Sequence, residues 1–332
     1  LPAQREPFSS MSIDEIHDWI GSDKHIPIGS CVREIRKKSS RKISIDNGVK
    51  KVVYTAPAGE LTAVLHFDKP SQSWHPVKFP IETAEDIKVM TDWYNDATLD
   101  IDNDGLEEMK MRQKEAGDNA STRAVIGESP LMEFIEWLAG VENGHYLLID
   151  YQDEVEELFS VMHSYLIRKT EIMAEYSPAD MLYFIENTST TLISPEQFRK
   201  YCFNHLRDYA RIINEANKPF VMHMCGHLKD ILADISRIDA AAIEAFTTPT
   251  LGNTELIDGR TTCPDKCIIG GTNALLWTQD AEAIIEKIQQ DLDTMPHHRG
   301  LVISSAGVMP PMAEPETIKK VADWLKTYKV RV

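Results

Sequence analysis

A closed (β/α)8 TIM barrel with an N-terminal extension is the architecture this sequence predicts, on three observations. From residue 123 onward, short apolar runs alternate with amphipathic stretches, the pattern of parallel βαβ units. Those runs are apolar throughout, as strands buried on both faces must be. No Gly-x-Gly-x-x-Gly follows a strand and no Walker A loop occurs, which disfavours an open nucleotide-binding sheet. The 332 residues read as a single barrel domain. Its N-terminal portion, about 1–120, carries the first strand, a hairpin and covering helices; regular βα units fill about 121–332.

The first 22 residues are polar and read as surface. His25-Ile26-Pro27-Ile28-Gly29 is a short apolar run and a candidate first strand. Arg33 to Lys51 is basic and polar and reads as a long solvated loop. Val52-Val53-Tyr54 and Leu61-Thr62-Ala63-Val64-Leu65 flank Pro57-Ala58-Gly59, the pattern of a hairpin over 51–67. Helices are expected near 82–95 and 102–116. Then Ala124–Gly127 precedes a helix near 130–139, and a long helix near 152–176 precedes Met181–Ile185. Ser194, Pro195 and Gln197 spell a helix start with a capping box. Four more pairs follow: Phe220–Met224 with 227–236, Ala241–Ala245 with 254–258, Cys267–Gly270 with 280–291, and Leu301–Ile303 with 314–328. That makes seven strands, and one strand of an eight-fold barrel stays unassigned.

Composition narrows the function. Hydrophobic residues at 42% and charged residues at 26% suit an ordinary globular chain. A net charge of −17 argues against nucleic acid and anionic membrane as partners, which call for a basic face. No apolar run approaches the roughly 20 residues of a membrane span. No secretory segment opens the chain, and Leu1 implies that an initiator Met at least is missing. The five cysteines are too few and odd in number for a disulfide framework, so a reducing cytoplasm is expected. A homo-oligomer is left open.

In barrels of this kind the chemistry sits where strands end. The sharpest feature there is Phe220-Val221-Met222-His223-Met224-Cys225-Gly226-His227. Side chains alternate along a strand, so His223 and Cys225 point the same way and lie roughly 6.5–7 Å apart at Cα. An imidazole and a thiolate together suit Zn²⁺. A His and a Cys packed as plain core fit the spacing as well. Glu186 and Glu244 are lone acids at or near the ends of apolar runs, where burying a carboxylate without a partner is costly. Each is a candidate metal ligand, substrate contact or loop cap. Glu128 is a weaker candidate, since an acid at a helix start explains it. Asn273 stands at the correct end to hydrogen-bond substrate. Cys263 and Cys267 have a metal-like spacing, but Cys267 begins its strand and belongs to the opposite face. Tyr183 and Trp277 are candidates for an aromatic pocket or for core.

At these residues the chain resembles the uroporphyrinogen decarboxylase superfamily, and within it the cobamide-dependent methyltransferases. The resemblance spans roughly residues 20–330. It rests on Ala56-Pro57-Ala58-Gly59-Glu60-Leu61, Gly127-Glu128-Ser129-Pro130, Leu192-Ile193-Ser194-Pro195-Glu196-Gln197-Phe198, His223-Met224-Cys225-Gly226, Gly270-Gly271-Thr272-Asn273 and Ala306-Gly307-Val308-Met309-Pro310-Pro311. It implies a (β/α)8 barrel and zinc on His223 and Cys225. The distant third Cys of that branch falls near Ala306, where this sequence has none, so Glu186 or Glu244 is left to complete the shell. Ser30-Cys31-Val32-Arg33-Glu34-Ile35-Arg36 departs from the substrate-binding loop of the decarboxylase branch. The resemblance therefore implies a methyltransferase moving methyl from a small methylated substrate, a phenyl methyl ether for example, to a corrinoid (cobalamin) on a partner protein. Glu186, Glu244 and Asn273 are its candidate catalytic residues. A metal-free decarboxylase using Arg33 and Arg36, or a non-catalytic binding barrel, are the alternatives.

Overall fold

The computed structural model describes residues 4–332. β1 (Lys24–Pro27) opens the central sheet, and β2 (Val32–Ile35) leaves it. β3 (Ser40–Asp46), β4 (Val49–Ala56), β5 (Gly59–Asp68) and β6 (Ser73–Lys78) form an antiparallel meander, and β7 (Thr98–Ile101) returns to pair with β2. β8 (Ala120–Gly127), β9 (Met181–Ile185), β10 (Phe220–His223), β11 (Ala242–Phe246), β12 (Cys267–Gly270) and β13 (Leu301–Ile303) continue the central sheet in chain order from β1, every pair parallel.

This curled, seven-stranded parallel sheet is TIM-barrel-like. The eighth strand that the sequence left unassigned has no counterpart among the described residues, and β13 does not pair with β1. Helices bridge that seam. Ile13–Ile20 packs against Pro315–Thr327, where Lys319 donates to the Trp19 carbonyl at 2.9 Å. The first of these helices lies within the 22 residues that read as surface, and it buries Ile16 and Ile20. Ser12 caps it, and Glu15 closes a capping box.

Alternation along the strands sorts the core into two layers. Leu182, Phe184, Phe220, Met222, Ile243 and Ile268 face outward and are buried under the helices. Tyr183, Val221 and Ala242 face the lumen beside Met181, Ile185 and Ile269. The outer layer explains the uninterrupted apolar runs, since the lumen is itself packed.

The hairpin is present and larger than expected. Ala56 pairs with Gly59 around a two-residue turn, and two further strands flank β4 and β5. The expected loop over Arg33–Lys51 is instead β2, β3 and the start of β4. Every residue of β3 is exposed, so no buried face marks it in the sequence; its backbone ladder to β4 holds it extended. A helix at Val141–Asp150 is added before the expected Gln152–Tyr176, and 227–236 shrinks to short turns at Lys229–Ile231 and Leu232–Ile235. No helix among the described residues is long and apolar enough to cross a membrane.

Phe184 ties sheet to helices: it is fully buried and stacks on Tyr209 at 4.4 Å between ring centroids. Phe184→Ala is expected to lower the unfolding free energy by about 3–5 kcal/mol in a denaturant titration. A loss under about 1 kcal/mol, typical of an average point substitution, would contradict this packing.

Candidate functional site at the strand ends

β10 runs into its last residue, His223, with the imidazole on the lumen side. Parallel pairing sets His223 opposite Glu244 on β11 and Ile185 on β9. There the Nδ1 of His223 and the Glu244 carboxylate are hydrogen-bonded. Two residues on, the Cys225 thiol points at the Asn187 side-chain oxygen, 3.7 Å away. Asn187 adopts φ +46°, and its N–H and that of Glu186 both donate to the His223 carbonyl, at 3.0 and 2.9 Å. The Asn187 Nδ2 donates to Glu136 at 3.0 Å. Gly226 follows at φ +106°, and a Cβ there would stand 2.8 Å from the Ser189 hydroxyl. That close approach lets the His227 N–H donate to Ser189 at 3.0 Å and brings the chain back over the strand ends.

Charge sets the protonation of this cluster. Burial pulls the His223 pKa down, but Cys225 and Glu244 outweigh it and push it up to about 9. His223 is therefore an imidazolium at neutral pH. Burial raises Glu136 to about 7 against the opposing Asn187 bond and the His223 charge. Glu128, at the end of β8, is raised to about 9, by burial first and then by the charges of Glu136 and Glu133. Trp137 donates to Glu128 at 3.2 Å. Several groups at this mouth thus keep a proton near neutrality.

Glu186 is not brought to His223. It lies next in the alternation after outward-facing Phe184, so its carboxylate sits under the helices. It is fully buried, accepting from the Ser129 N–H at 2.8 Å and the Ser129 hydroxyl at 2.6 Å. Burial raises it to about 7. Asn273 has both ends occupied: its oxygen accepts from the Leu276 N–H at 3.0 Å, and its amide donates to the Pro249 carbonyl at 2.6 Å. It is a helix cap and loop brace. Trp277 belongs to the outer core, whereas Tyr183 lies in the lumen with its hydroxyl unpartnered. Arg33 pairs with Asp100 at 3.8 Å on an exposed surface, and Arg36 bonds Glu34 at 2.7 Å and lies on the Trp93 ring. Neither arginine stands free at the mouth.

The arrangement does not fit a resident zinc ion. His223 and Cys225 supply two of the expected donors, but Ala306 is buried where a third thiolate was expected, and the Glu186 carboxylate is bonded to Ser129 and turned away. Among the described residues no group of three or more His, Cys, Asp and Glu side chains could hold a metal ion.

Glu136 was missed in the sequence. It stands in Phe134-Ile135-Glu136-Trp137-Leu138, which reads as an ordinary amphipathic stretch, and a turn of π-helix there carries it to the mouth. His25 was passed over as a strand residue; it faces the lumen 5.4 Å from the Tyr183 ring.

The uroporphyrinogen decarboxylase family model matches residues 109–328. The chain belongs to the uroporphyrinogen decarboxylase family. A solved methyltransferase from Methanosarcina mazei superposes with a TM-score of 0.55 at 16% identity, covering 79% of this chain and 75% of that one. At that identity the likeness carries the fold alone. No curated protein sequence matches. Within the family frame, the cluster around His223 occupies the end of the barrel where the strands run out.

The imidazolium has a direct signature. His223 contributes stability below pH ~6.5 that is lost as pH rises through its raised folded value. NMR titration of the imidazole is expected to give about 9. In Glu244→Gln the value is expected to drop toward the ordinary ~6.5. A wild-type value at or under the ordinary one would refute the ion pair.

Proposed function

We propose that this chain is a methyltransferase that removes a methyl group from a small methylated molecule, a phenyl methyl ether, and passes it to a corrinoid protein. The observation that carries the reading is His223, held as an imidazolium by Glu244 at the strand ends of a barrel of this family. That a solved methyltransferase has a similar fold agrees with it.

The chemistry asks for such an acid. An ether is a poor leaving group unless its oxygen gains a proton as the carbon–oxygen bond breaks. In the proposed step the methyl group leaves without its bonding pair, which stays on the oxygen. Glu244 at Nδ1 orients the ring, and the Nε2 proton of His223 passes to that oxygen. A corrinoid on the partner would supply the electron pair that receives the methyl. Neutral imidazole then remains beside Glu244, and a proton from solvent restores it. Cys225 interacts with the His223 side chain and points its thiol at Asn187, which Glu136 tethers.

Phenol release from methoxybenzoates, with free cob(I)alamin as acceptor, tests the reading. Wild-type chain is expected to release phenol at a rate that falls as pH rises through about 9. His223→Gln is expected to lose about 10²–10⁴-fold, the usual worth of a general acid. Glu244→Gln is expected to move the falling limb to lower pH. No phenol from any methoxylated substrate, or an unimpaired His223→Gln, would defeat the assignment.

A further inference from the structure

A cavity of about 400 Å³ lies between the N-terminal meander and the barrel mouth. That volume suits a single small molecule, since ligand sites run roughly 300–1,000 Å³. Gly127 and Glu128 line it from the end of β8, Tyr94 from the helix Ala84–Asn95, and Tyr165 and Lys169 from the helix Gln152–Tyr176. Arg41 of β3 and Trp137 complete the wall. Tyr94 and Tyr165 meet edge to face at 5.5 Å, so the wall is aromatic and fixed in orientation.

The acids of this cavity are bonded or protonated, whereas two of its cations have no ion-pair partner among the described residues. Glu34 is bonded by Arg36 at 2.7 Å and by the Tyr165 hydroxyl at 2.7 Å. Glu133 accepts from the Tyr94 hydroxyl at 2.8 Å, and burial raises its pKa. Glu128 keeps its proton at neutral pH. Lys169 and Arg41 make no ion pair within 4 Å among the described residues, although burial works against the Lys169 charge and the nearby Glu133 only partly offsets it. The surplus charge in the cavity is therefore positive. Glu128 also joins the cavity to the strand-end cluster, because the charge of Glu136 acts on it and Asn187 bonds Glu136.

We infer that this cavity binds the ring of a small aromatic carboxylate, its ring against Tyr94, Tyr165 and Trp137 and its carboxylate on Lys169 and Arg41. That the ring also bears a methoxy group rests on the methyl-transfer reading; binding of the aromatic acid does not.

The probe is 3-methoxybenzoate, followed by quenching of tryptophan fluorescence in the full chain, with methoxybenzene and tetramethylammonium as neutral and cationic counterparts. The benzoate is expected to bind at least about tenfold more tightly than either, one charge-assisted contact's worth. Lys169→Met is expected to erase that preference and Lys169→Arg to keep most of it, with thermal melts confirming that each variant folds. Arg41→Gln, on an exposed strand, is expected to weaken benzoate binding alone, and it decides the matter should Lys169→Met fail to fold. Equal binding of methoxybenzene, preference for tetramethylammonium, or benzoate binding indifferent to both cations would overturn the inference. A chain that binds the benzoate but releases no phenol leaves this inference standing and ends the transfer reading. A chain that demethylates with no cation-dependent binding does the reverse.

Discussion

The structure depends on one constraint: adjacent residues on a strand face opposite sides of the sheet. In a parallel barrel one side is lumen and the other is helix-covered core, so a shift of one residue decides between chemistry and packing. His223 and Glu244 fall on the lumen side in the same register, and Cys225 keeps the same parity just past the strand end. Glu186, on the other parity, is buried against Ser129. Two carboxylates at the ends of apolar runs thus have different lives. Glu244 governs a proton at the mouth, while Glu186 braces the turn between β8 and its following helix.

A second consequence follows from burying that lumen. Desolvation disfavours every charged form, so an isolated imidazole there would be neutral. Cys225 and the Glu244 carboxylate reverse the balance, the latter because it is placed at Nδ1 and is itself largely shielded, with 17% of its side chain exposed. The neighbouring Glu136 and Glu128 lack such a cation within hydrogen-bonding reach, and burial drives them toward their neutral forms. One imidazole is charged, Glu128 keeps its proton, and Glu136 is poised at about 7, all at one barrel mouth, and the difference lies in which partner the backbone presents to each.

How much of this was legible in the sequence varies with how local the cause is. Met181–Ile185, Cys267–Gly270 and Leu301–Ile303 match the strands residue for residue, because continuous apolar runs bounded by turn residues have one reading in a βα pattern. The helix Gln152–Tyr176 and the Ser194 capping box were equally plain. β3 was not, since a strand exposed on both faces leaves no apolar alternation to read. His223 and Cys225 stood out because a polar pair ended an otherwise apolar strand. The partner of His223 did not: choosing between Glu186 and Glu244 requires the register of three strands. Glu136 was further from reach, because it arrives through a π-turn that shifts the helix face. Asn273 misled for a local reason, since a side chain that caps the helix after it looks, in sequence, like one free to meet substrate.

The missing third thiolate and the charged His223–Glu244 pair bear on one another. A metal ion and a proton polarise a departing oxygen in the same sense, and a site built for one leaves little room for the other at the same nitrogen. With Ala306 in the place expected for the distant cysteine, the imidazole has a carboxylate at Nδ1. Together with Cys225, that carboxylate raises the pKa and keeps the proton on the ring. A carboxylate at Nδ1 serves metal-bound histidines equally well, so the missing thiolate, not Glu244, is what separates this site from a zinc site. In the proposed methyl transfer, acid catalysis places the demand for orientation on the cavity beside Glu128: a proton donor stabilises the leaving oxygen only at hydrogen-bond distance, so the substrate's far end must be anchored elsewhere. The unpaired cations at Lys169 and Arg41 are where this fold has charge to spare for that anchor.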